Sequence, residues 1–274
     1  MQPQTDEIRQ AREQLLKNGY CLVDGWLPDG SVARLRDWSA EWLNRSDHPP
    51  QWKYQGSDVK ISGIRNQSKR SPEFPRDEVV DFLIEHPAPI LEALGMGDFK
   101  SGGVFQIISK PPLAPALYWH QDWARWDDPI SMSPWPQQVF LNWYLTDTSV
   151  NNGCIRVIPG SHLRRLELHD HLVQAHESGG YDIKETNEWM FIDHPDAVDV
   201  PVKVGQLLIG DARLLHGTYP NRSSERRTVL LGWYYRRSNE KPQDWQGVVP
   251  QEIIDRDPNL PFRFIRTPGE YLRV

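Results

Sequence analysis

Cysteine is scarce in this 274-residue chain, with Cys21 and Cys154 the only two. Two cysteines build neither a disulfide framework nor a zinc ribbon. No apolar run approaches the ~20 residues a membrane-crossing helix needs. The start, Met1 to Arg12, is polar and lacks the apolar stretch of a secretory leader. Positive charge is not in excess either. Lys and Arg number 31 against 37 Asp and Glu, a formal charge of −6, which argues against broad nucleic-acid binding. Internal repeats and low-complexity tracts are absent. What remains is a cytoplasmic enzyme acting on a small molecule, with neither nucleic acid nor membrane as partner, folded as a single domain over 1–274.

Proline and tryptophan are plentiful, at 23 and 12 residues. Proline limits long helices, and tryptophan favours an aromatic-rich core or cavity. Residues 1–100 read as mainly helical support. Ile8, Ala11, Leu15 and Leu16 recur at helical spacing within Asp6 to Asn18, Ser31 can cap a second helix through about Leu43, and Asp77 to Leu94 is a third candidate interrupted near Pro87 and Pro89. Residues 45–75 are polar and read as a long loop. From 102 to 236 short apolar runs alternate with Gly, Pro, Asn and Asp, the pattern of a jelly roll. The charged stretch near 164–199 reads as an insert in that core, and 237–274 as a C-terminal extension.

Trp119-His120-Gln121-Asp122 carries the chemistry. On an extended strand residues i and i+2 share a face, so His120 and Asp122 would lie side by side with Gln121 turned away. His216, on a distant strand candidate, completes a two-histidine, one-carboxylate face that leaves metal positions open for non-haem iron(II) oxygen chemistry. His-x-Asp alone is a weak pattern. His194-Pro195-Asp196 shares it, but its central proline suits a turn and not an interior strand. His169 and His171 sit among charged residues and read as solvated.

Arg227 opens the strand candidate that runs to Tyr235. Alternation puts Arg227, Val229, Leu231 and Trp233 on one face, with Arg226 opposite. A guanidinium ending an inward-facing row needs an anion, and its fork suits a carboxylate. Thr218 shares the face of His216 and adds a hydroxyl. Together they suit the far end of a dicarboxylate cosubstrate that chelates the metal at its other end.

These residues, with Lys110-Pro111-Pro112, the run Asn152 to His162 and His216-Gly217-Thr218, resemble the phytanoyl-CoA dioxygenase family over roughly 102–236. The resemblance implies a mainly β, double-stranded β-helix (jelly roll, cupin-like) with flanking N-terminal helices. It implies Fe(II), 2-oxoglutarate as cosubstrate and O2, with hydroxylation of an unactivated C–H bond and release of succinate and CO2. By position His120, Asp122 and His216 are the metal ligands and catalytic residues. Arg227 and Thr218 hold the cosubstrate, and Gln106 and Asn142 fall where the family lines its pocket; many members carry tryptophan where Asn142 stands. Lys60 or Arg65 is a candidate for a further basic contact. His162 and the run around it are read as scaffold. Related halogenases have a small residue at the position of Asp122, so its carboxylate favours hydroxylation, or another oxidation such as desaturation, over halogenation.

Trp123, Arg125, Trp126 and Tyr144 are candidate substrate contacts, the first three in or before a Pro-rich loop that could cover the site. Phe105 and Tyr118 suit either the cavity wall or the core. Two other readings stay open: a cupin-type metalloenzyme without 2-oxoglutarate, and a non-catalytic small-molecule-binding domain on the same scaffold.

Overall fold

The computed structural model describes residues 5–44 apart from 25 and 29, then 52–54, 57–63, 78–123, 136–164, 166–172 and 188–237, with short segments at 262–263 and 272–273. Helix α1 (Thr5–Asn18) forms where the apolar spacing requires it. Asp6 and Glu7 lie in its first turn and Lys17 in its last, each complementing the helix dipole. Helix α2 (Ser31–Asn44) buries Leu35, Trp38 and Trp42 on one side. The third helical stretch splits into α3 (Glu78–Glu85) and α4 (Ala88–Ala93), because Pro87 cannot continue a helix and instead occupies the N-cap of the next.

Seven antiparallel strands form the larger sheet in the order β1 (Tyr20–Val23), β9 (Leu207–Asp211), β6 (Gln138–Tyr144), β11 (Arg227–Arg236), β4 (Phe99–Lys110), β3 (Ser57–Gly63) and β2 (Trp52–Tyr54). The smaller sheet runs β5 (Leu117–His120), β10 (His216–Thr218), β7 (Ile155–Val157) and β8 (Val198–Val200). A further pair, β12 (Phe262–Arg263) and β13 (Leu272–Arg273), stands apart in sequence. These two facing sheets are the expected jelly roll. The polar stretch 45–75 is not all loop: β2 and β3 extend the sheet edge there, and β3 pairs with β4 from Asp58 to Gly63. Its composition concealed them, because a short edge strand tolerates polar residues.

Period-two alternation divides the larger sheet into two environments. Leu141 and Trp143 of β6, with Leu230 and Tyr234 of β11, pack against Leu15, Leu16, Leu35 and Leu83 of the helices. Phe140, Asn142 and Tyr144, with Arg227, Val229, Leu231 and Trp233, face the space between the sheets. Phe105 packs in the helical core, and Tyr118 in a second core with Trp119, Leu168 and Met190. Within 164–199, Leu168, Leu172 and Met190 are buried there, and α5 (Glu188–Phe191) and β8 follow. His169 is likewise buried, which corrects its reading as a solvated residue. The Leu166 amide donates to its Nδ1 at 3.0 Å, and that contact replaces the lost hydration.

The turn between β9 and β10 delivers His216 and is held by a buried ion pair. Arg213 donates to both oxygens of Asp211, from Nε at 3.0 Å and from an Nη at 2.7 Å, and both residues are essentially inaccessible. His162 is structural, as expected: its Nε2 donates to the Leu16 carbonyl at 3.0 Å, and burial pushes its pKa down to about 4. Among the described residues no helix is long and apolar enough to cross a membrane. Removing one partner of the buried pair strands the other charge. Asp211→Ala should therefore cost about 3–5 kcal/mol, read as a lower midpoint in urea unfolding.

Candidate active site

β5 and β10 are neighbours, and their register sets His216 directly opposite His120. The two imidazole centroids lie 4.1 Å apart. Close approach of these strands needs Gly217, where a Cβ would fall 2.8 Å from the Leu117 carbonyl oxygen. β5 ends at His120, so Asp122 is not a strand neighbour as its spacing suggested; it occupies a bend just beyond. The Trp123 amide, donating to the Ala212 carbonyl at 2.9 Å, fixes that bend against the turn leading to His216. Gln121 does turn away, and its amide donates to the Arg213 carbonyl at 2.5 Å.

The three side chains converge. Asp122 Oδ1 is 3.6 Å from His120 Nε2 and 3.8 Å from His216 Nε2, and one donor atom from each residue lies within 4.8 Å of the others. Both histidines are oriented alike. His120 Nδ1 donates to the Tyr118 carbonyl and His216 Nδ1 to the Leu214 carbonyl, each at 2.9 Å. A carbonyl only accepts, so each Nδ1 carries the proton and each Nε2 presents a lone pair inward. That tautomer is the one a metal requires. Two imidazoles and a carboxylate with an open side fit ferrous iron.

The triad opens on a cavity of about 90 Å³ between the sheets, lined also by Gln106, Asn142, Tyr144, Thr218, Arg227 and the apolar Ile108, Phe140 and Leu231. Arg227 is buried, its Nε has no hydrogen-bond partner, and its guanidinium lies 5.6 Å from the Tyr144 ring centre. Directly opposite it in the β11–β4 register is Lys110. The Lys110 ammonium is buried and donates to Thr218 Oγ1 at 2.7 Å and to the Tyr219 carbonyl at 2.5 Å. Burial first, and the Arg227 charge second, push its pKa down to about 6. Gly153 makes room for it, since a Cβ there would lie 3.2 Å from Lys110 Cδ and 2.7 Å from the Tyr219 carbonyl oxygen. Two like charges opposite each other in a dry place repel, and an anion between them removes the repulsion.

A model of the phytanoyl-CoA dioxygenase family matches residues 15–229. The chain belongs to that family. Among curated proteins it is 32% identical over 127 residues to the probable alpha-ketoglutarate-dependent hypophosphite dioxygenase of Stutzerimonas stutzeri, an alignment covering 46% of this chain and 41% of that protein. The chain thus spans less than half the length of this relative. It is 27% identical over 266 residues to the L-proline trans-4-hydroxylase of Streptomyces griseoviridis, covering 85% of this chain and 90% of that one. The fold matches the non-heme alpha ketoglutarate dependent epimerase SnoN from nogalamycin biosynthesis with a TM-score of 0.60 at 21% identity, over 84% of this chain and 83% of that one.

The fold brings His120, Asp122, His216, Thr218, Arg227, Gln106, Asn142 and Tyr144 to one cavity. Trp123 is elsewhere, packed in the core with Tyr118 and Trp119. Arg125, Trp126 and Arg65 lie outside the described residues, as does the side chain of Lys60. The decoy His194 accepts from the Asp196 amide at 3.1 Å at the surface. Lys110 went unassigned to the site when read from sequence alone, although its motif was noticed; its register with Arg227 was the missing signal. Arg226 points away, to Asp58 at 2.8 Å.

The depressed Lys110 pKa links stability to pH. The unfolded chain holds this proton up to about the ordinary 10.5, whereas the folded chain gives it up near 6. The unfolded state therefore binds more protons across that interval, and the group's contribution to stability rises with pH through it. Lys110→Met should flatten the rise, and comparing urea midpoints of the two proteins between pH 6 and 10 measures the difference.

Proposed function

We propose that the protein is an Fe(II)- and 2-oxoglutarate-dependent hydroxylase of a small molecule. The observation that carries this reading is Arg227, buried with an Nε that has no hydrogen-bond partner among the described residues and lining the same cavity as the histidine–carboxylate triad. The triad alone suits several metalloenzymes, cupin types without a cosubstrate included. A buried guanidinium in that cavity asks in addition for an anion, and a dicarboxylate reaching from the metal face to Arg227 supplies it. The overall change is R–H + 2-oxoglutarate + O2 giving R–OH + succinate + CO2. Iron(II), when bound, supplies the redox chemistry that couples the two oxidations.

The chain's own residues do the rest. His120, Asp122 and His216 hold the metal, with both Nδ1 protons tied to backbone carbonyls. Arg227 and Thr218 hold the far carboxylate of the cosubstrate, and Lys110 fixes the Thr218 hydroxyl from behind. Tyr144 and Asn142 line the same pocket, where the Tyr144 phenol can donate to that anion. Gln106 lines the same pocket, while Phe140, Ile155 and Leu231 supply apolar walls that limit water. Hydroxylation over halogenation is supported by Asp122, which occupies the position a halide would need. The proline hydroxylase aligned over most of the chain supports it too. Arg125 and Trp126 stay candidates for substrate contact.

Succinate formation should require Fe(II) and 2-oxoglutarate together. Asp122→Ala should abolish it while leaving the unfolding transition intact, and full turnover without 2-oxoglutarate would sink the reading. Arg227→Leu should raise the KM for 2-oxoglutarate by roughly 10²-fold, the loss of a charge-assisted contact of about 1.5–3 kcal/mol. An unchanged KM would favour the cupin-type enzyme.

A further inference from the structure

We infer that Trp233 is a positioning residue that fixes which oxygen of Asp122 faces the metal. This rests on the metal reading above and goes beyond it. Asp122 stands past the end of β5, so the strand ladder does not hold its side chain. A direct contact comes from β11. Trp233 Nε1 donates to Asp122 Oδ2 at 2.9 Å, while the other oxygen, Oδ1, lies 3.6 and 3.8 Å from the two histidine Nε2 atoms. The carboxylate is thus divided in function. One oxygen points to the histidines and the other is occupied by an indole proton.

The backbone is arranged for this contact. Trp233 pairs with Phe140 of β6, whereas the β11–β4 register breaks between Gly232 and Tyr234, at Trp233. Such irregularities re-aim a side chain. Trp233 follows Arg227, Val229 and Leu231 on the cavity face, and all four line the same space.

The division matters because of coordination arithmetic. In an octahedral shell three protein donors leave three positions, two for a chelating 2-oxo acid and one for dioxygen. A carboxylate binding through both oxygens would take the last. Trp233, by occupying Oδ2, keeps Asp122 a single-oxygen donor. It also orients the carboxylate, as outer hydrogen bonds to metal ligands do.

Trp233→Phe retains an aromatic wall and removes the donor. If it fails to fold, site-specific incorporation of β-(3-benzothienyl)alanine at 233 removes only the N–H from the same bicyclic shape. The probe is Co(II), titrated into anaerobic protein and followed by visible absorption, which reports coordination number. Either variant should bind Co(II) about 10- to 100-fold more weakly than the wild type. Each should also show a changed visible spectrum on 2-oxoglutarate addition, with unfolding midpoints close to the wild type. Unchanged affinity and spectrum in a folded variant would overturn the inference and leave Trp233 as a wall, with the proposed function standing. Failure of the wild type itself to bind one equivalent of Co(II) would overturn both.

Discussion

The site depends on one piece of cross-strand register, His216 against His120. Everything else in the triad follows from holding β10 beside β5. The approach is close enough that Gly217 can carry no side chain, and the turn entering β10 is pinned by the Asp211–Arg213 pair. That turn also receives the Gln121 amide and the Trp123 backbone, so the segment bearing Asp122 and the segment bearing His216 share one scaffold. The three residues come from distant parts of the chain yet rest on a single buried corner.

A second constraint comes from the sheet opposite. The inward row of β11 carries a cation at one end and, at the other, an indole that donates to the Asp122 carboxylate. The outward row, Leu230 and Tyr234, is committed to the helices, with the Tyr234 hydroxyl donating to the Leu83 carbonyl. A one-residue slip of this strand would exchange the two rows and lose the anion contact and the core at once. The helical layer therefore fixes the chemistry as well as the stability, although it contributes no residue to the cavity lining.

Much of this was legible in the sequence. Alternation alone put Arg227, Val229, Leu231 and Trp233 on one face, because the period of a strand is rigid. His120 and His216 were found by residue type and by the strands around them. What escaped was set by tertiary pairing. Lys110 is the last residue of β4, and nothing local shows that it stands across from Arg227. Strands β2 and β3, at one end of the larger sheet, are polar with little apolar signature. His169 looked solvated because its neighbours in sequence are charged, but burial is decided by which side of a 3-10 turn meets the core. Asp122 was placed on the right side for a partly wrong reason: the strand ends two residues before it, and a tryptophan from the other sheet donates to its carboxylate.

His216 and Thr218 share one face of a three-residue strand whose backbone is buried throughout. Two residues of extended chain span about 7 Å, and a strand cannot stretch to suit a different guest. On the functional reading proposed here, β10 is a gauge. It sets the separation between the metal face and the hydroxyl at the far end of the pocket. Selection among 2-oxo diacids of different carbon count then rests on the pitch of the main chain together with the reach of Arg227.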